Sequence, residues 1–431
     1  MEIKSGYRNS EIGILPNEWV VDTLESTTPN NQKNSIVDGP FGSNLKTIHY
    51  KKSGIPIVTS GFVTEGKFQA DNYIYVDQEK FNQEKRSAVF PGDIVMAKIG
   101  ARCGSSAILP LDHEVGILSG NALKITVDEK RHSPYFIWAL LWNLYASGRI
   151  DTLITVGAQP AISMPNLKKL NIPQPPLPEQ QAIAKVLSDM DVLIQAQEAL
   201  IEKKRLIKQG VMQALLTGKR RLPGFSGKWT EATLGELGEI SSAGVDKKII
   251  PSETAVRLLN YLDVYSKDFI KSEDLTQSVT SPIQKAQKCS IKKGDVFFTP
   301  SSEIPTDIAN SAVSLEDIED GVYSYHIVRF RLFEPENWDL LFRLYIFKTK
   351  YYFDQAEKVC AGSGQRYVIN LGGFQSLRIK YPKDIKEQQA ISEIIYDLDT
   401  EIELLQKRLE KYKFIKQGMM QELLTGRTRL V

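Results

Sequence analysis

The 431-residue chain holds little that could do covalent or redox chemistry. Its three cysteines, Cys103, Cys289 and Cys360, are scattered and form no CxxC pair, which excludes a disulfide framework and suits a reducing cytoplasm. The four histidines, His49, His113, His132 and His326, never fall near one another or near a cysteine at metal-ligand spacing, so no metal site is expected. No apolar run approaches the roughly 20 residues needed to span a bilayer, and the opening MEIKSGYRNSEIGILPNEW lacks the apolar core of a signal peptide. The expected location is the cytoplasm, with no membrane partner. A nucleotide-phosphate loop is also missing: Gly66-Lys67, Gly218-Lys219 and Gly227-Lys228 lack both the preceding glycine spacing and the following Ser or Thr. A dispersed Ser/His/Asp set leaves no motif and stays open. An excess of one sign of charge is missing too, since 54 Lys and Arg against 52 Asp and Glu leave a formal net charge of only +2. Composition alone therefore does not announce a nucleic-acid binder.

What the chain does have is itself, twice. IKQGVMQALLTG at 207–218 returns as IKQGMMQELLTG at 415–426, an offset of 208. EQQAIAKVLSDMDVLI from Glu179 returns as EQQAISEIIYDLDTEI from Glu387 at the same offset, with Asp189 and Asp191 recurring as Asp397 and Asp399. Upstream the likeness weakens and drifts: GDIVMAKIG at Gly92 against GDVFFTPSS at Gly294, AQPAI at Ala158 against GQRYV at Gly364, and Trp19 against Trp229. So long a period is not a solenoid repeat. It is tandem duplication of a unit made of one variable globular domain and one well-matched segment, in a chain too long for a single core.

The matched segment is helical. A heptad passes through 183, 190, 197, 204 and 211 in the first copy, and Ile391, Leu398, Leu405, Tyr412 and Met419 hold the same phase in the second. This is a coiled-coil-like seam, interrupted at Gln197 and Lys204, where polar residues can fix register. Each helix is expected to run about 39 residues, or roughly 60 Å. Pro173, Pro175, Pro176 and Pro178 precede the first, and Thr217-Gly218 and Thr425-Gly426 end the two with glycine caps. A lone copy would be read as a structural coiled coil. Two copies in one chain can pair antiparallel, which gives two non-identical heads related by a pseudo-two-fold on a rigid spacer.

PLPEQQAIAKVLSDMDVLI, LIKQGVMQALLTGKRRLPGFSGKW, DGPFGSNLK at 38–46 and GDIVMAKIGARCG at Gly92 together resemble the specificity subunits of type I restriction–modification systems. The resemblance covers essentially the whole chain. One departure is PKDIKEQQ at 382–389, a linker one residue longer and less proline-rich than PLPEQQ. The resemblance implies an α/β (α+β) chain with two mixed target recognition domains and two long helices. The expected parts are residues 1–172 and 223–380 as recognition domains, with 173–222 and 381–431 as helical spacers. It implies a non-catalytic subunit that reads a bipartite asymmetric site on double-stranded DNA. Two modification subunits would dock on the helices and methylate adenine N6 with S-adenosylmethionine. Restriction subunits, using ATP and Mg, could join. The Asn-Pro-Pro-Tyr type of motif that holds a flipped adenine is absent here, and QPPL at 174–177 cannot bond the exocyclic amine. The duplicated positions Glu179, Gln180, Asp189, Asp191, Gln209 and Gln213, with Glu387, Gln388, Asp397, Asp399, Gln417 and Gln421, are the candidate docking residues.

DNA-contact candidates sit in polar loops. KIGARCGSS overlaps the end of the strand-like run Ile94–Ile99 and holds Lys98, Arg102, Ser105 and Ser106, and Ser301 and Ser302 occupy the matching TPSSEIPTD. Gln159 and Gln365-Arg366 form a second pair, since Gln suits adenine and Arg suits guanine. Ordinary surface loops and turns would contain the same residues. The basic runs 203–205 and 219–221, with Arg220 and Arg221, fit either phosphate contact or a solvated helix face. The aromatic stretches YFIWALLWNLY at 135–145 and WDLLFRLYIF at 338–347 are expected as core helices, not stacking platforms. A stand-alone two-headed DNA-binding or scaffold protein remains the alternative. The low net charge lends it some support, unless partner subunits supply further phosphate contacts.

Overall fold

The computed structural model describes residues 5–155 and 159–430, apart from the Ser43 side chain. Val156, Gly157 and Ala158, part of the VGAQPA stretch, lie outside the described residues. The chain forms two units, residues 1–197 with 408–431, and residues 198–407. Two helices of 39 residues each, Leu177–Leu215 and Ile385–Leu423, contribute segments to both. Among the described residues no helix is long and apolar enough to cross a membrane.

In the first unit one antiparallel sheet runs Ser106–Ile108, Ile94–Ala97, Ala122–Ile125, Ile36–Asp38. The expected strand Ile94–Ile99 is shorter than read, because beyond Ala97 the Lys98 carbonyl accepts from Ile162 N (2.9 Å). A second sheet has the order Tyr75–Val76, Ile55–Val58, Gly116–Leu118, Ala88–Val89, with Ile57 and Ile117 paired in parallel. The aromatic stretch is the helix Pro134–Ala146, N-capped by Ser133, with Phe136, Ile137 and Leu141 in the core as expected. The GD turn owes its recurrence to the fold. Asp93 is 3% exposed and accepts from Phe90 N (2.8 Å), Thr126 Oγ1 (2.6 Å) and Lys124 Nζ (3.1 Å).

The second unit repeats the plan. Gly238–Ser241, Val328–Leu332, Val296–Phe298, Ser311–Ser314 and Phe269–Ile270 form one sheet. Leu258 pairs in parallel with Val322 in the other. Asp295 repeats the GD turn, accepting from Lys292 N (2.8 Å) and from Nε (2.7 Å) and Nη2 (2.6 Å) of the Arg331 guanidinium, which is held above its ordinary range by that carboxylate. Here the aromatic helix is short, Leu340–Tyr345. It passes into a 3-10 turn, Ile346–Lys348, and Thr349 then caps a new helix, Lys350–Val359.

Within each unit the long-helix segments run antiparallel. In the first, Asp191 pairs with Lys416 (2.5 Å) and Glu179 with Arg429, so one index rises as the other falls. In the second, Lys204 pairs with Glu401 (2.7 Å) and Lys208 with Asp399. The polar interruption at Lys204 thus pins register. The deepest seam line is not the heptad through 183 and 190. It runs Leu187, Ile194, Ile201 and recurs as Ile395, Ile402, Leu409. The longer second linker changes nothing at the helix start. Pro176 O accepts from Glu179 N and Gln180 N, and Asp384 O accepts from Glu387 N and Gln388 N, so both helices begin at matched residues.

Candidate nucleic-acid interface

The two candidate stretches of each head lie far apart in sequence, and the fold brings them together. In the first head Gly100 N donates to Pro160 O (3.1 Å) and Ile162 N to Lys98 O, joining the loop after Ala97 to the segment carrying Gln159. Gln159 and Arg102 are exposed. The Arg102 guanidinium donates to Thr64 Oγ1 (3.0 Å), which ties it to a neighbouring hairpin. Lys98 is less available than its sequence suggests. Its ammonium donates to Asp38 Oδ2 (2.5 Å) and lies 4.3 Å from the centroid of the Phe41 ring, which is 45% exposed. Two residues before Phe41, Gly39 lies against the Ser119 backbone, where a Cβ would come within 2.1 Å of Ser119 O. Gly39 and Phe41 belong to the DGPFGSNLK stretch. Ser105 is corrected: at 2% exposure it is interior, as is Ser106 at 0%. Gly104, at φ +92°, turns the chain inward to the strand Ser106–Ile108, so these hydroxyls face the core.

In the second head Ser301 and Ser302 form a strand that pairs antiparallel with Arg366–Val368, itself paired with Ala361–Ser363. The hairpin turn holds Gln365 and Arg366 opens the strand after it, both exposed, so all four candidates lie on one small sheet or its turn. Tyr261, whose hydroxyl donates to Ser301 O (2.6 Å), stacks on Tyr265, which is 47% exposed. Exposed Tyr325 and His326 follow the strand Ile318–Tyr323, and Tyr325 N donates to Val245 O (3.2 Å), close in sequence to Lys247. Partial burial holds the His326 imidazole below its ordinary pKa, and the charges of Lys247 and Arg366 press it lower still. Phe41, Thr64, Tyr261, Tyr265, Tyr325, His326 and Lys247 were not among the sequence candidates. In VYSYHI Tyr325 and His326 are exposed between the buried Val322–Ser324 and Ile327, and no period-2 alternation marks them in the sequence. Such rims offer amide, hydroxyl and guanidinium donors and aromatic faces. These are the groups that contact phosphates and base edges and that stack. Among the described residues no group of three or more His, Cys, Asp or Glu is arranged to hold a metal ion.

Several duplicated helix residues expected to dock partners are instead interior fastenings. Glu179 is 1% exposed and accepts from Trp19 Nε1 (2.9 Å) and Arg429 Nη2 (2.9 Å). Glu387, 2% exposed, accepts from Arg221 Nη2 (2.7 Å) and Trp229 Nε1 (3.3 Å). Arg221 is thereby corrected as a free phosphate contact, whereas Arg220 is exposed. Gln180 accepts from Ser133 N (3.0 Å) and donates to Pro175 O (2.8 Å). Gln388 accepts from Asp339 N (2.9 Å) and donates to Pro382 O (2.9 Å). A glutamine can satisfy one donor and one acceptor at once, which is what two helix starts meeting in each head require. Asp191 receives Lys416 and the Tyr135 hydroxyl; Asp399 receives Lys208 and the Tyr345 hydroxyl. Burial first, and the adjacent carboxylate second, push both phenols far above their usual range. The tyrosines sit one helical turn apart relative to the caps Ser133 and Asp339, yet reach the same aspartate. Asp189 pairs with Lys185 on the surface, and Asp397, Gln209, Gln213, Gln417 and Gln421 are exposed.

The family model for the type I restriction modification DNA specificity domain matches residues 42–203 and again 226–413, most of the chain in two copies. The chain is 27% identical to the type I restriction enzyme MjaVIII specificity subunit of Methanocaldococcus jannaschii, over 80% of this chain and 81% of that one. It is 23% identical to the type I restriction enzyme StySPI specificity subunit of Salmonella potsdam, over 74% and 69%. The fold is similar to that of the type I restriction–modification S subunit from M. genitalium, with TM-score 0.55, 17% identity and 98% of each chain covered. The chain belongs to the family of type I restriction–modification DNA specificity subunits.

Proposed function

We propose that this chain is the non-catalytic DNA-reading subunit of a cytoplasmic type I restriction–modification assembly, and that each head reads one half of a bipartite asymmetric site. The observation that carries this reading is the rim built twice with different chemistry: Arg102 and Gln159 in one head, Ser301, Ser302, Gln365 and Arg366 in the other. Residues 1–172 and 223–380 act as the recognition parts, and 173–222 and 381–431 as spacers that set the gap. Arg220 adds a phosphate contact. The helices dock two modification subunits, which carry S-adenosylmethionine, and restriction subunits with ATP and Mg join that core. Exposed apolar residues support two docking places. Leu206 and Ile207 (59% and 41% exposed) recur as Phe414 and Ile415 (77% and 39%). Each pair is followed by a helical glycine, Gly210 or Gly418, whose missing Cβ would meet nothing of this chain. Gln209, Gln213, Gln417 and Gln421 flank these glycines, with Asp189 and Asp397 further along the same helices. Replacing residues up to 172 with the head of another such subunit, in cells that also express the modification subunit, should change one half of the methylated motif. A change in both halves, or in neither, would reject modular reading.

A further inference from the structure

The second unit contains a cleft of about 850 Å³ between the C-terminal turns of the first long helix and the head. It exists where the head's aromatic helix breaks: after Tyr345 the chain makes a 3-10 turn, and Thr349 starts the ten-residue helix Lys350–Val359. Met212, Leu216 and Ile379 supply apolar lining, and Arg205, Lys219, Lys348, Lys350 and Lys380 supply cations. Two carboxylates also line it, and both are already engaged: Asp399 by Lys208 and the Tyr345 hydroxyl (2.9 Å), Asp354 by Lys350 (2.6 Å). Lys348 is paired with Asp268 and Lys380 with Glu231 (3.5 Å), so the uncompensated positive charge comes from Arg205 and Lys219, and the positive end of the Lys350–Val359 dipole adds to the same field. Arg205 is weakly engaged, 3.9 Å from Glu202. Gln209 and Gln213 lie along the same cleft. An apolar lining ringed by cations is complementary to a segment with one apolar face and flanking carboxylates.

We propose that this cleft seats an acidic amphipathic segment of the modification subunit, so that docking at the second unit is electrostatic as well as apolar. This rests on the docking reading above. The test uses the full chain with its own modification subunit, comparing wild type with Arg205→Glu/Lys219→Glu and with the uncharged plug Gln213→Trp. All three positions are solvent-facing, and circular dichroism melts check that each variant folds. Native mass spectrometry counts bound subunits, and titrations at about 0.1 M and 1 M salt, where the screening length falls from about 10 to 3 Å, measure affinity. The expected result is loss of one of two modification subunits. Affinity at that place should drop about tenfold or more in low salt for the charge reversal, with the difference shrinking in high salt. The plug should show the loss at both salts. Two subunits bound at wild-type affinity in both variants would overturn the proposal while leaving the docking reading intact. Undiminished docking with weakened DNA binding by the isolated chain would overturn it too, and assign the cleft to phosphates. A wild-type chain that takes up no modification subunit would sink the docking reading itself.

Discussion

Glu179 and Glu387 do the same work in two places: each is a buried carboxylate joining an indole to an arginine that arrives from the end of the other long helix. Removing either glutamate leaves an indole N–H without its acceptor and breaks one ion pair, although Arg429 keeps Glu18 (2.8 Å) and Arg221 keeps Gly227 O (2.6 Å). Glu179→Ala and Glu387→Ala should each cost about 1–3 kcal/mol, whereas the exposed Asp189→Ala and Asp397→Ala should stay within about 0.5 kcal/mol. Urea denaturation of the isolated chain separates these classes, and equal small effects at all four sites would restore the docking reading of the glutamates. His132 gives a pH dependence. It is 8% exposed and contacts Gln180 Nε2 at 3.3 Å. Burial, then the Arg131 charge, holds its imidazole below the ordinary value of 6.5, so the folded chain keeps it neutral. As pH falls through about 6.5 the unfolded chain binds the proton first, so stability is lost on acidification. His132→Phe should shrink the difference in Tm between pH 7.5 and 5.5. An unchanged difference would show that other groups carry it. The two glutamates and two aspartates were visible in the sequence as duplicated, but duplication reports constraint without its cause. Surface docking and interior fastening leave the same mark on a repeat.

At the scale of elements, the long helices were legible because periodicity and glycine caps are local properties. Gly218 and Gly426 sit at φ +68° and +70°, where a side chain is strained, and each packs beside a tryptophan ring, Trp229 or Trp19. Gly218→Ala and Gly426→Ala should destabilise by about 1–3 kcal/mol, more at Gly426, where a Cβ would lie 2.6 Å from Pro16 Cδ. Gly210→Ala should do the opposite in the isolated chain, stabilising it by about 0.5–1 kcal/mol, while weakening subunit docking. Thermal melts and pull-downs with the modification subunit read the two signs, and a destabilised Gly210→Ala chain would mean the glycine serves this fold. The heads were only partly legible. Ser105 seemed a loop hydroxyl until Gly104 turned it inward, and Ser301 shares a sheet with Arg366 through pairing across more than sixty positions, which no local pattern records.

For the whole molecule, the central claim is that one chain reads two half-sites at a spacing fixed by its helices. The repeat at offset 208 made the duplicated head-and-helix plan visible from sequence, since a duplicated unit needs no knowledge of strand order. The rims stayed hidden because they assemble from segments that only tertiary pairing joins. A seven-residue insertion in the middle of both helices keeps the seam in phase and lengthens each by about 10 Å. At roughly 3.4 Å per base pair that is about three base pairs. The accompanying rotation of about 100°, given 10–10.5 base pairs per turn, would misface the second head on the natural site. The most direct measurement is therefore the methylome of cells expressing this double-insertion variant with the modification subunit. Methylation should be lost at the natural site, and any that survives should fall on a motif with both half-sites unchanged and a longer gap. Full methylation at the original gap would contradict the claim.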